Sequence, residues 1–242
     1  MRFSFTIIVI ITLSLFLVRC ESNSSETSVP NLHVGEDGVL YKTWTREYED
    51  GRAELWYSNN EQEHKISGGT DWLINWADFP SMLQYGTGKM VANYLVLTDE
   101  ATFAYDIKLI LSNDNGETWS KPFSPHTDST LTEHGFVSLV SVRDDAFMAI
   151  WLDGREYSTG KDVMQLGAAL INDSGELENE WIIDDNVCSC CATDAIETEN
   201  GISVVYRDRD DGEIRDISFV NFDKNTRTWT DPIYVHADNW MI

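Results

Sequence analysis

Basic residues are scarce in this chain. Only 17 Lys and Arg stand against 41 Asp and Glu, giving a formal net charge of −24. A surface of that sign repels phosphate backbones, so nucleic acid is excluded as a partner, and docking on anionic membrane surfaces is disfavoured. The same charge serves solubility; its functional alternative is cation binding. Sustained helical periodicity is missing after the N-terminal segment, which argues against a helical fold. No low-complexity linker follows residue 30, which argues against a second domain. Cysteine is confined to Cys20 and one cluster, Cys188, Cys190 and Cys191. The one long apolar run, residues 3–18, is short for a membrane span, which takes roughly 20 residues.

That run opens on Arg2 and ends at Arg19-Cys20, and a polar, Ser-rich stretch follows. An apolar run, then Cys, then a Ser-rich leash resembles a bacterial lipoprotein signal with Cys20 as the lipidated residue. Arg19 stands where a small residue is usual, so an uncleaved N-terminal anchor is the alternative. Both readings place the rest of the chain outside the cytoplasm, in the periplasm or at the outer-membrane or cell surface. Membrane contact is then expected only through the N-terminal lipid or signal anchor. The expected division is a signal peptide over 1–19, a flexible tether over 20–34 and one folded unit over 35–242.

What is abundant is aromatic: nine Trp, nine Tyr and ten Phe. Such residues favour strands and pack well between stacked sheets. Ser112-Asn113-Asp114-Asn115-Gly116-Glu117-Thr118-Trp119 fits S-x-D-x-G-x-T-W at every fixed position. Asp223-Lys224-Asn225-Thr226-Arg227-Thr228-Trp229 repeats its second half 110 residues later, and both continue W-[ST]-x-P-apolar. Weaker copies lie at Asp173-Ser174-Gly175, with Trp181 behind it, and at Ser58-Asn59-Asn60. A period of about 50 residues with turn-plus-Trp markers predicts four-stranded propeller blades. The Asp114 carboxylate and Ser112 hydroxyl suit a hairpin turn, Gly116 permits positive φ, and Trp119 offers a ring to bury. This box is expected to be structural.

On these residues the chain resembles the Asp-box (BNR-repeat) sialidase-like proteins. It is similar to a branch carrying segments like Asp71-Trp72-Leu73-Ile74-Asn75-Trp76-Ala77-Asp78-Phe79-Pro80, Thr132-Glu133-His134-Gly135-Phe136, Trp151-Leu152-Asp153-Gly154-Arg155, Val187-Cys188-Ser189-Cys190-Cys191 and Tyr206-Arg207-Asp208-Arg209. The resemblance implies an all-β, six-bladed propeller, of which this length supplies about four blades, so the sequence is expected to be truncated at its C-terminus. It implies a glycoside hydrolase-like protein acting on acidic glycans outside the cell. The alternative is a non-catalytic glycan-binding or thiolate metal-binding propeller. Sialidases, by the same resemblance, grip a substrate carboxylate with three Arg and use a Tyr–Glu nucleophile and an Asp acid/base. The usual F-R-I-P opening is absent here.

Arg155 and Arg207 are the best candidates for carboxylate binding, since each follows an apolar or aromatic strand; Arg209 and Arg215 are further ones, and a salt-bridge network is the plainer role for all four. His126, Asp128, Glu133 and His134 bring four titratable side chains within nine residues, an acid/base cluster on one loop. His236 and Asp238 repeat the first pair, which leaves Glu133 and His134 as the stronger functional candidates. Cys188, Cys190 and Cys191 fit either a tight local disulfide, Cys188–Cys190 or Cys188–Cys191, with one thiol left over, or a thiolate site. Zn²⁺ or Cu⁺ would suit the thiolates, with a fourth ligand from His134, His126 or beyond the C-terminus.

Overall fold

The computed structural model describes residues 24–60 and 62–241. Residues 1–19 and Cys20, read as an export signal and lipidation site, lie outside the described residues. No helix among the described residues is long and apolar enough to cross a membrane.

Four antiparallel sheets follow one another along the chain, each a meander. The first is β1 (Ser25–Val34), β2 (Leu40–Tyr48), β3 (Ala53–Asn59) and β4 (Gln62–Gly69). The second is β5 (Ser81–Tyr85), β6 (Lys89–Asp99) and β7 (Ala104–Ser112), with Phe123 bridging to Leu109 along its outer edge. The third is β8 (His134–Arg143), β9 (Ala146–Asp153), β10 (Met164–Asn172) and β11 (Leu177–Val187). The fourth is β12 (Asp194–Thr198), β13 (Gly201–Arg207), β14 (Ile217–Asp223) and β15 (Thr228–Trp229), with β16 (Ile233–His236) also on β14. Each sheet is a blade. The first strands β1, β5, β8 and β12 come together around a channel lined by Leu32, Ser81, Met82, Ser138 and Thr193. The chain is a β-propeller with about four blades.

Strand alternation builds the cores between blades. Along β6, Met90, Ala92 and Tyr94 face the first blade, while Val91 and Leu95 face the third. Along β9, Phe147, Ala149 and Trp151 face the second blade, while Met148, Ile150 and Leu152 face the fourth. Strands buried on both faces are apolar at most positions, which is why the sequence shows runs rather than alternation there.

One expected boundary is corrected. Part of the stretch taken as a flexible tether, Ser25–Val34, is strand β1, paired with β2 from Ser25↔Tyr48 to Val34↔Leu40. Ser-rich composition suggested a leash, but Ser28 is tied into the sheet by bonds to Thr45 Oγ1 at 2.8 Å and Glu47 at 2.8 Å.

All four repeat markers fall on the turn between the third and fourth strands of a blade. In the Asp box, Asp114 accepts hydrogen bonds from Ser112 Oγ (2.7 Å), Thr118 N (2.9 Å) and Thr118 Oγ1 (2.6 Å). These bonds hold its carboxyl at about 2, below the ordinary carboxylate range. Gly116 has φ +82°, and a Cβ there would meet the Tyr57 hydroxyl at 2.3 Å. Asp223 does the same work in the fourth blade, accepting from Asn225 N (2.7 Å) and Thr226 N (3.0 Å). In the third blade the turn is held one residue earlier than the sequence suggested. Asn172 Oδ1 accepts from Ser174 N (3.0 Å), Ser174 Oγ (2.6 Å) and Glu176 N (3.0 Å), whereas Asp173 reaches the second blade to pair with Lys89 at 2.6 Å.

The two residues should therefore differ in their effect on stability. Asn172→Ala, which loses these three bonds and the one Nδ2 donates to Glu176 at 3.0 Å, is expected to cost about 1–2 kcal/mol. Asp173→Ala, which loses one partly exposed ion pair, should cost less than about 1 kcal/mol. Urea unfolding of both variants checks the order, and a larger loss for Asp173→Ala would reject the turn assignment.

Candidate functional site

The Asp-box turns lie at one end of the strands. The candidate residues lie at the other, on the loops that enter each first strand and on the hairpins between second and third strands. Asp78 precedes β5, Glu133 precedes β8, and the loop carrying Cys188, Cys190 and Cys191 precedes β12. Arg155 and Tyr157 lie on a short 3₁₀ helix, Arg155–Thr159, between β9 and β10, and Arg207 and Arg215 flank the β13–β14 hairpin.

The acid/base cluster expected on one loop is split by the pleat. His126 and His134 stack with ring centroids 4.3 Å apart. His126 Nε2 lies 2.8 Å from Asp106 Oδ1. His134 Nε2 lies 3.1 Å from Asp128 Oδ2 and 3.5 Å from Asp153 Oδ1, in line with neither, so it makes ion pairs without an aligned hydrogen bond. Burial works against charge on His134, but Asp153, Asp106 and Asp128 outweigh it and raise its pKa. Both histidines are buried, and the cluster is an internal ion-pair network. Glu133, adjacent along an extended backbone, turns to the opposite side.

Arg155 belongs to the same network. Its Nε and Nη2 grip Asp153 at 2.8 and 2.6 Å, and Nη2 also meets Glu180 at 3.0 Å. Asp153 is fully buried and also accepts from Trp151 Nε1 at 2.8 Å. Its pKa lies far below the ordinary value: burial opposes ionisation, but His134 and Arg155 outweigh it. The expectation that Arg155 presents a free fork to a substrate carboxylate is thus corrected, because an internal carboxylate fills it.

On the other side stands a residue not singled out from sequence. Asp78 is 1% exposed. Its Oδ2 accepts from Phe136 N at 2.7 Å, and its Oδ1 has no partner. Burial without a cation pushes it up to about 6. Gly135 makes room for it, since a Cβ there would stand 2.1 Å from Asp78 Oδ2 and 2.8 Å from the Tyr105 ring. Glu133 pairs backbone to backbone with Tyr105, is half-buried, and is raised by burial. Asp78, Glu133 and Tyr157 all act on the Tyr105 hydroxyl, so the four groups share one neighbourhood. Trp76, 88% exposed, and Phe79, 40% exposed, lie two residues before and one after Asp78 in the chain. The only sequence signal for Asp78 was its place in an aromatic-rich segment ahead of Pro80.

The Ser189 side chain is near enough to Tyr157 to act on its hydroxyl, which puts Tyr157 next to the cysteine loop. Cys188 Sγ lies 2.8 Å from Cys191 Sγ and 3.9 Å from Cys190 Sγ. Arg215 Nη1 points at Cys188 Sγ (3.7 Å) and Arg207 Nη1 at Cys191 Sγ (3.9 Å). The Cys188 thiol is lowered: burial opposes this, but bonds from Cys191, the Cys190 backbone and Arg215 prevail. Burial and the Cys188 charge push Cys191 up to about 12. Neither His126 nor His134 joins the three sulfurs; those rings converge with Asp106 instead, so neither supplies the expected fourth ligand.

No protein-family model and no curated protein matches the sequence. Solved structures do match in fold. An α-L-arabinanase from Penicillium chrysogenum aligns with TM-score 0.51 and 15% identity over 84% of this chain and 63% of that one. A Hadza microbial sialidase aligns with TM-score 0.51 and 14% identity over 89% of this chain and 46% of that one. A neuraminidase-like protein from A/bat/Guatemala aligns with TM-score 0.53 and 10% identity over 84% and 53%. The chain thus spans less than two thirds of the length of each of these three proteins. At such identities the likeness is one of fold: this chain has the sialidase-like propeller shared by several glycosidases.

Proposed function

We propose that this chain is a glycoside hydrolase-like protein acting on a glycan at the face that carries Asp78 and Glu133. One observation carries the reading: two carboxyls raised above their ordinary range by burial, Asp78 and Glu133, lie at the entries of successive first strands, Glu133 bridging to Tyr105 and Asp78 sharing the Gly135 contact with the Tyr105 ring. Glycosidic cleavage commonly uses a pair of carboxyl groups, one protonated to assist the leaving oxygen. Asp78, buried and holding its proton to about pH 6, suits the acid. Glu133, half-exposed, suits the base or nucleophile. Trp76 offers a flat apolar face for a sugar ring, and Arg207, with one guanidinium nitrogen directed to Cys191, is the remaining cation for an acidic sugar. The fold likeness to arabinan- and sialic-acid-processing proteins supports the class. We further propose that the protein works outside the cytoplasm, held by a lipid on Cys20; the support is the apolar run, Cys and Ser-rich order of the first residues.

Hydrolysis of arabinan oligosaccharides and of sialylated and uronic glycans tests this. Asp78→Asn and Glu133→Gln should each lower kcat by about 10²–10⁴-fold. Trp76→Ala should raise KM with folding intact. Wild-type binding of glycans with no cleavage of any of them would instead favour the non-catalytic glycan-binding module.

A pH prediction is independent of substrate. Asp78 has a folded pKa of about 6 against an ordinary 3.8, so the folded chain holds this proton more tightly. Its contribution to stability is complete below pH 4 and is lost as pH rises through 6. The loss amounts to about 3 kcal/mol. Urea denaturation between pH 4 and 7 should show this slope in the wild type and a flatter profile in Asp78→Asn; identical profiles would refute the assignment.

A further inference from the structure

The cysteine loop is not used by the chemistry proposed above, yet it is anchored at both ends. It leaves β11 at Val187, which bridges to Asp208, while Cys188 N bonds Arg207 O at 3.0 Å. It enters β12 through Thr193, whose Oγ1 bonds Phe136 O at 3.1 Å and Ser138 Oγ at 2.7 Å. Between these anchors three sulfur atoms converge, all within 4.8 Å of one another. Cys188 is buried, Cys191 half-buried and Cys190 exposed, so the cluster opens to solvent on one side.

Cys188 and Cys191, 2.8 Å apart, are the pair a local disulfide would join, and the surroundings supply the case for a thiolate site. A disulfide sulfur is neutral and a weak acceptor, and it uses sulfurs in pairs. Here two different sulfurs are each approached by a guanidinium, Cys188 by Arg215 and Cys191 by Arg207. Cations placed around sulfur stabilise negative charge on it, as thiolate or as metal-bound thiolate. Three soft donors exclude Ca²⁺ and Mg²⁺, which take oxygen.

We infer that Cys188, Cys190 and Cys191 form a binding site for a thiophilic d¹⁰ metal ion, with Arg207 and Arg215 as flanking cations that offset the sulfur charge. Cu⁺ is satisfied by three sulfurs. Zn²⁺ would keep an open fourth position, because no histidine among the described residues joins the set. Metal–sulfur bonds of about 2.3 Å set two sulfurs of one ion roughly 3.7 Å apart, so Cys188 and Cys191, now 2.8 Å apart, move apart by about 1 Å to take it, while Cys190 at 3.9 Å from Cys188 already stands at ligand spacing.

The test uses the full chain, reduced and purified without affinity metals, and equilibrated separately with Co²⁺ as a stand-in for Zn²⁺ and with Cu⁺ under a competing chelator. One ion per chain with a thiolate-to-metal charge-transfer band is expected in at least one arm. Cys190→Ser, at an exposed position, should lose that ion while circular dichroism stays unchanged, and Cys188→Ser and Cys191→Ser should lose it too. Arg215→Gln should weaken binding about 10-fold. Uptake no greater than that of the triple Ser variant in both arms overturns the site. Unchanged affinity in Cys190→Ser overturns the three-sulfur assignment.

Discussion

The middle sheets of this molecule must bury both faces, and most else follows from that. In β9 every residue from Ala146 to Asp153 is buried. Alternate side chains serve different cores, so a one-residue slip would exchange the cores on its two sides. Strands under that constraint have little room for polar side chains in their middles, and Asn93 in β6 is accommodated because Ser81 bonds its Oδ1 at 3.0 and 2.5 Å. Chemistry is displaced to the strand ends, and the first carboxylate met along β9 is its last residue, Asp153.

Asp153 shows what such an end position costs and how the cost is met. A fully buried carboxylate is tolerated only when its oxygens are bonded and its charge is paired. Trp151, Arg155 and the Arg155 backbone supply the bonds, and Arg155 and His134 the charge. This consumes the fork of Arg155. Asp78, at the end of a neighbouring blade, is buried almost as deeply but has one backbone donor and no cation. Two acids on one face are therefore driven in opposite directions by their surroundings, one held ionised far below the ordinary range and one keeping its proton up to about pH 6. Divergence of that kind separates structural charge from a group able to deliver a proton near neutral pH.

The fold was more legible than the site, for a physical reason. Turn chemistry is local: Asp114, Gly116 and Trp119 act within one hairpin, so their spacing survives in the sequence and marks the blade period. Even there Asn172 was passed over for Asp173, since an Asn can hold the same turn. The site depends on contacts between blades, which spacing does not reveal. Asp78 is significant because Gly135, 57 positions away, leaves room for it. The split between Glu133 and His134 could have been anticipated, because neighbours on an extended chain face opposite sides. The nearness of Asp153 to Arg155 in sequence was likewise a sign that the guanidinium had an internal partner.

The two ends of the strands also differ in how their polar groups are spent. At the Asp-box end the carboxylates of Asp114 and Asp223 are saturated by turn donors, and the buried polar atoms left over belong to Trp119, Trp229, Tyr85 and His64. At the opposite end Asp78 Oδ1, His134 Nε2, Gln165 Oε1 and Asn186 Oδ1 lack aligned partners, so among the described residues a buried carboxylate oxygen is left over only there, beside three thiols. A buried charged or chargeable atom without a partner costs more than a neutral one. Asp78 Oδ1 and the three thiols are the groups that the proposed glycan and the proposed soft cation would complete, so the first proposal rests on an atom the fold itself leaves without a partner and the second on cysteines it leaves unbridged.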